Sequence, residues 1–175
     1  MTEHCTLSVP SEWVCRWASQ VPPGSRVLDL ACGSGRHTRL LAHDGFSICA
    51  VDRDPVAVAS LSGLPAVEAL VADLENAPWP YPVQRFGGIV VTNYLHRPLL
   101  PILVDSLEAG GVLIYETFAV ENERYGRPTN RDFLLRTGEL LDAVAGRLRV
   151  VAYEDLYVDV PKPAMVQRIC AQCWK

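Results

Sequence analysis

Apolar residues fall in two spacings along this chain. Mostly apolar runs at residues 26–31, 46–51, 66–72, 87–93 and 112–118 read as strands buried on both faces, the pattern of a parallel sheet. Between them the spacing becomes helical: over 35–43 with Leu40 and Leu41 inward, over 55–61, and over 98–107 with Leu99, Leu100, Leu103 and Leu107 on one side. Punctuation agrees with these limits. Asp54 and Pro55 supply a cap and a first helical residue, and Gly45 and Gly110-Gly111 stand where helices stop. Residues 11–19 form a short helix capped by Ser11, with Trp13 and Trp17 on the face that packs on the sheet. Thr137 caps a helix over 138–145, and 147–153 with 166–171 make a closing hairpin across Pro161-Lys162-Pro163.

This alternation predicts a Rossmann-like, doubly wound α/β sheet of seven strands with helices on both faces, in one domain over residues 1–175. Residues 1–24 are its N-terminal helical segment. Two stretches break the pattern. Pro78, Pro80 and Pro82 forbid a regular helix in 74–85, and 119–136 is too long and polar for a plain connector, which marks it as a substrate lid.

Composition narrows the class. With 49% apolar and 21% charged residues the chain is globular, and a net charge of −4 lacks the basic footprint of a dedicated nucleic-acid binder. No run approaches the roughly 20 apolar residues that span a bilayer, and Met1 to Pro10 shows no charged-then-apolar leader, so a cytoplasmic location is expected. Cys5, Cys15, Cys32, Cys49, Cys170 and Cys173 then read as reduced, mostly buried small hydrophobes. Cys170 and Cys173 have a metal-like spacing, but on a strand they point to opposite faces, so no metal site is expected.

The most specific stretch is Arg26-Val-Leu-Asp-Leu-Ala-Cys-Gly-Ser-Gly-Arg-His-Thr38, a strand running through a glycine turn into a helix. Such a turn presents unpaired backbone N–H groups to a ligand that only glycine lets approach closely. A nicotinamide-binding turn would carry a third glycine where Thr38 stands. Asp29 lies before the glycines, where it orients the turn or meets a ligand ammonium group. Asp52 ends the second strand, placed for ribose hydroxyls, and Asp73 ends the third, placed for an adenine amino group or for capping its own turn. A nucleoside joined to an amino acid satisfies all three carboxylates, and S-adenosylmethionine is that molecule.

The series Val27-Leu-Asp-Leu-Ala-Cys-Gly-Ser-Gly35, Val51-Asp52, Ala72-Asp73-Leu74 and Gly110-Gly111-Val-Leu-Ile114 resembles the successive motifs of class I S-adenosylmethionine-dependent methyltransferases. Gly33-Ser-Gly-Arg-His-Thr38, Tyr115-Glu-Thr-Phe118, Gly126-Arg-Pro128 and Phe133-Leu-Leu135 are similar to the small tellurite-resistance and thiopurine methyltransferase group. The resemblance implies strand order 3-2-1-4-5-7-6 with the seventh strand antiparallel. It also implies a cofactor site in which Gly33 and Gly35 approach the ligand, Asp52 takes the ribose and Asp73 the adenine. Asp29, Ala31, Cys32, Arg36, Arg53, Leu74 and Asn93 complete that site. The proline-rich 74–85 departs from the family, which usually has a helix there.

Methyl displacement from a sulfonium is one step that needs alignment more than acid–base help. Candidates lie at the carboxyl ends of the fourth and fifth strands, where open α/β sheets hold ligands. There His96, Glu116 and Asn93 are catalytic candidates, and Tyr94 and Phe118 substrate contacts. His96 offers an imidazole, the side chain suited to proton removal at neutral pH, or else simply starts the next helix. Glu116 meets substrate or ends its strand; Arg36 pairs with the cofactor carboxylate or stands solvated. In the lid, Tyr125 and Phe133 offer stacking faces and Arg127 a positive charge. The expected function is methyl transfer to a small-molecule acceptor, the alternatives being an RNA or protein acceptor, or a non-catalytic cofactor-binding partner subunit. An NAD enzyme is disfavoured by the missing third glycine and second domain.

Overall fold

The computed structural model describes residues 9–174, so Cys5 and the leader reading of residues 1–8 lie outside it. Seven strands form one sheet in the order β3-β2-β1-β4-β5-β7-β6. They are β1 (Arg26–Leu30), β2 (Ser47–Asp52), β3 (Val67–Val71), β4 (Phe86–Thr92), β5 (Leu107–Phe118), β6 (Leu148–Val158) and β7 (Ala164–Cys173). The first five are parallel to one another, and β7 runs antiparallel to both β5 and β6. This is the order the resemblance implies.

Side chains alternate across the sheet, and each face gathers its own apolar layer. On one face Leu28, Leu30, Ile89, Val91 and Leu113 pack with Leu99 and Leu103 of α4 (Leu99–Asp105) and Leu140 and Val144 of α5 (Glu139–Val144). On the other, Val27, Ile48, Val90 and Ile114 pack with Trp13 and Val14 of α1 (Glu12–Trp17) and Leu41 of α2 (Arg36–His43). Cys170 belongs to the second layer and Cys173 packs against the first, so the two sulfurs do diverge.

α1 begins as its sequence requires, with the Ser11 hydroxyl accepting the Trp13 N–H. Trp13 and Trp17 meet edge to face at 5.6 Å, and the Trp13 indole donates to the Ile169 carbonyl at 3.2 Å. Asp54 caps α3 (Pro55–Ala59), accepting from Val56 and Ala57. No regular helix forms in 74–85; Trp79, Tyr81 and Phe86 instead make successive edge-to-face contacts there.

Three local expectations need correction. Gly110-Gly111 does not end a helix: α4 stops at Asp105, Leu107 already pairs with Phe86, and the glycines sit inside β5 at a bulge. A Cβ on Gly111 would meet the Glu108 and Phe86 carbonyls at 2.9 Å. Thr137 is not the cap of α5, because Gly138 takes that place with φ of 74° and the Glu139 carboxylate accepts the Arg136 N–H instead. The buried face of α2 is His37, Thr38 and Leu41, not the Leu40-Leu41 pair.

Trp13 is 2% exposed and spans α1 and β7. Trp13→Ala is expected to lower stability by about 3–5 kcal/mol, read by urea denaturation.

Candidate functional site

The carboxyl ends of β1, β2, β4 and β5 open on a common edge, and the backbone there is shaped for close approach. Ala31 and Asn93, just past β1 and β4, hold positive φ of 54° and 55°. Gly33 and Gly35 follow with φ of 53° and 78°. The two glycines differ in role. Above Gly33 a Cβ would meet nothing within 4 Å, so that face is open to a ligand. A Cβ on Gly35 would collide with Leu61, so Gly35 is required by packing.

Asp29 does not face the open edge. It is 2% exposed, and its carboxylate accepts from the Thr38 hydroxyl at 2.6 Å. Burial pushes its pKa up to about 6, the Thr38 hydrogen bonds opposing. Of its two expected roles, this geometry serves orientation of the turn. Thr38, standing where a dinucleotide turn would have glycine, is the donor that a buried carboxylate needs. Cys32 is likewise buried, its thiol pushed up by burial and turned to the Gly33 carbonyl at 3.6 Å.

Asp52 bridges the turn. One carboxylate oxygen accepts from the Gly33 N–H at 2.8 Å, the other from the Asp54 N–H at 2.9 Å. Asp73 accepts from the Glu75 N–H at 3.0 Å and the Asn76 amide at 2.8 Å, which hold its pKa down. It thus caps its own turn while lining a cavity of about 380 Å³. Ala31, Asp52, Arg53, Leu74, Asn93, Tyr94 and Phe118 line the same cavity, so most of the expected ligand contacts converge. Pro128 and Phe133 reach it from the 119–136 segment, whereas Tyr125 packs on Tyr157 at 4.9 Å and Arg127 is not among its lining residues.

That overhang is fastened by Arg97, which sequence reasoning passed over as the neighbour of His96. Its guanidinium donates to the carbonyls of Asp132 and Leu134, at 2.7 and 2.8 Å, on either side of Phe133. The remaining donors fork onto Glu139 at 2.7 and 3.0 Å. His96 lines neither this cavity nor the next, and its carbonyl accepts the Leu99 N–H. The backbone of His96 thus serves the helix-starting role, and its imidazole lies outside the lining of both cavities.

A second cavity of about 310 Å³ adjoins the first, with Asn93 and Phe118 common to both. Arg36 and Glu116 line it. Both Glu116 carboxylate oxygens are engaged, one accepting from the Ser11 hydroxyl at 2.7 Å and the other from Arg168 at 3.2 Å. Arg36 donates only to the Val9 carbonyl and, at 3.4 Å, the Thr92 hydroxyl, and no carboxylate lies within 4 Å of it among the described residues. Burial lowers its pKa. His37, absent from the sequence candidates, is 2% exposed and held neutral: burial and Arg36 bring its pKa down to about 3. Its Nε2 accepts the Ser11 N–H at 3.0 Å. The described residues contain no group of three or more His, Cys, Asp or Glu able to hold a metal, and no helix long and apolar enough to cross a membrane.

The Arg97–Glu139 pair sets a pH dependence. Burial raises the Glu139 pKa, but hydrogen bonds from Arg97 and Arg136 outweigh it and hold the carboxyl at about 2 instead of 4.5. A depressed folded-state pKa stabilises the fold fully above the ordinary value, and that stability is lost as pH falls from 4.5 toward 2. Urea denaturation is expected to show the wild type more stable than Glu139→Gln at neutral pH, the gap closing as pH approaches 2. A gap independent of pH would contradict this.

Residues 27–108 match a family model described as a methyltransferase domain. A curated relative, the tRNA U34 carboxymethyltransferase of Alcanivorax borkumensis, is 31% identical over 166 residues, covering 82% of this chain and 50% of its own. The chain thus spans about half the length of that relative. Among solved structures, TehB from Haemophilus influenzae superposes with a TM-score of 0.74 at 18% identity, covering 97% of this chain and 64% of TehB. The [4+2]-cyclase SpnF gives a TM-score of 0.73 at 16% identity, covering 92% of this chain and 79% of that one. These structural likenesses show the fold alone, and a cyclase among them shows that the fold does not name the reaction. Residues 27–108, which match the methyltransferase domain, carry the glycine turn, Asp52 and Asp73, and they lie on the sheet order that the resemblance to class I S-adenosylmethionine-dependent methyltransferases implies.

Proposed function

We propose that this chain binds S-adenosylmethionine across its two cavities and transfers the methyl group by direct displacement to a small-molecule acceptor. The observation that carries the reading is the Asp52 carboxylate, oriented by the Gly33 N–H on the rim of a cavity that also holds Asp73. Two acids at successive strand ends beside an open glycine suit the ribose and base of a nucleoside. The half-buried Arg36, without a carboxylate partner among the described residues, fits the methionine carboxylate at the other end. When bound, the cofactor supplies an electrophilic methyl on a sulfonium.

The chain's residues then align and exclude water. Asn93 and Phe118, shared by both cavities, stand where donor and acceptor meet. Neither cavity is lined by a histidine among the described residues, which suits an acceptor atom that is already nucleophilic. A small acceptor is favoured over RNA by the lid's charges. Arg124, Arg131 and Arg136 each lie within 4 Å of a carboxylate, on Glu121, Glu123 and Glu139, so of the segment's four arginines only Arg127 has no carboxylate that close among the described residues. The tRNA-modifying relative keeps RNA as the second reading, and a salt-dependent shift of tRNA on a gel would support it.

Calorimetry is expected to show binding of S-adenosylmethionine and S-adenosylhomocysteine but not NAD. Asp52→Asn and Arg36→Ala should each weaken the adenosyl ligands about tenfold or more, the scale of a hydrogen bond to a charged group. Failure of the wild type to bind either adenosyl ligand would overturn the reading.

A further inference from the structure

The second cavity has walls of two kinds. Val158, Val160, Ala164 and Val166 of the β6–β7 hairpin region face Val9 and Pro10 across it. Val9 and Val160 are each 72% exposed, an apolar rim that an occupant would cover. The N-terminal wall is fastened from three sides: His37 accepts the Ser11 N–H, Glu116 accepts the Ser11 hydroxyl, and Arg36 donates to the Val9 carbonyl at 3.0 Å.

Besides Arg36, ion pairing leaves one lining anion on the N-terminal wall, Glu12, and one lining cation on the hairpin wall without a counterpart within 4 Å among the described residues. Arg168 sits between Glu116 at 3.2 Å and Glu154 at 2.6 Å, and Glu154 also meets Arg16 at 4.0 Å, so two arginines balance two glutamates. Glu12 stands in the first turn of α1, where a negative charge complements the helix end. Arg36 is taken by the cofactor carboxylate in the function proposed above. Lys162 remains. Its ammonium lies over the Phe118 ring at 5.4 Å, and no carboxylate comes within 4 Å of it among the described residues. The aromatic face holds this exposed charge at the mouth of an apolar cavity and on one of the two residues shared with the cofactor side.

From this arrangement we infer that the part of the second cavity beneath the β6–β7 hairpin, beyond the cofactor carboxylate on Arg36, is the acceptor's site and that the acceptor is a largely apolar molecule carrying a carboxylate-type anion, held by Lys162. The inference rests on the methyltransferase reading, and the cofactor strengthens it, because a sulfonium adds a second positive charge beside the same cavity. An amine of equal size would face both cations, and an uncharged analogue would leave Lys162 unpaired.

The test uses protein saturated with S-adenosylhomocysteine and three probes of one length: octanoate, octanamide and octylamine, titrated by calorimetry. Octanoate is expected to bind about tenfold or more tightly than either of the others, the scale of one charge-assisted hydrogen bond. Lys162→Gln should abolish that preference and leave S-adenosylhomocysteine affinity unchanged. Val160→Trp, a change at an exposed rim position, should block octanoate while sparing the adenosyl ligand. Equal binding of octanamide, or a preference that survives Lys162→Gln, overturns the inference alone. Loss of S-adenosylhomocysteine binding in the wild type overturns the underlying function and this inference with it.

Discussion

A carboxylate sealed into the sheet, Asp29, depends on a single hydroxyl, Thr38, for its side-chain hydrogen bond. That contact ties the first turn of α2 to the end of β1 and fixes how the chain crosses between them. The turn has no freedom left to wander: Gly35 is pressed onto Leu61, and the Gly33 N–H is committed to Asp52 on the neighbouring strand. An apolar pair at these positions would pack as well, but it would give no direction to the helix start. The ligand-facing edge is thus set by polar groups in a layer that is otherwise apolar.

From the same helical turn the order spreads outward. Arg36 and His37 follow Gly35 and diverge, one toward the open edge and one inward beneath residues 9–11. Through Ser11 the inner branch reaches Glu116 on β5 and then Arg168 on β7. Strands far apart in the chain are therefore cross-linked around one site by side chains that are all partly or wholly buried. This concentrates rigidity where two cavities meet.

Much of this was legible because it is local. Apolar runs gave the strands of β1 to β4, and the glycine turn with Asp52 and Asp73 gave the first cavity, since each residue sits at a strand end that its own neighbours define. What stayed hidden is non-local or polar. The helical reading of α2 looked for leucines on the inner face, whereas Thr38 and His37 are buried there for their hydrogen bonds. The second cavity joins residues 9–12 to residues 158–168, a meeting that only the antiparallel insertion of β7 beside β5 produces. Likewise Arg97 carries no motif, and its role exists only once 132–134 have folded back over it. Gly110-Gly111 misled for a related reason: a glycine pair marks a break in a helix or a bulge in a strand equally well, and the pairing partner decides which.

The clamp of Arg97 on both sides of Phe133 has a thermodynamic corollary. A roof already anchored to α4 and α5 has little conformational entropy left to surrender when a ligand slides beneath it. Binding free energy then appears as affinity and is not consumed in ordering the loop. Under the proposed function such a roof favours exchange of ligands past a standing edge over the swing of a gate.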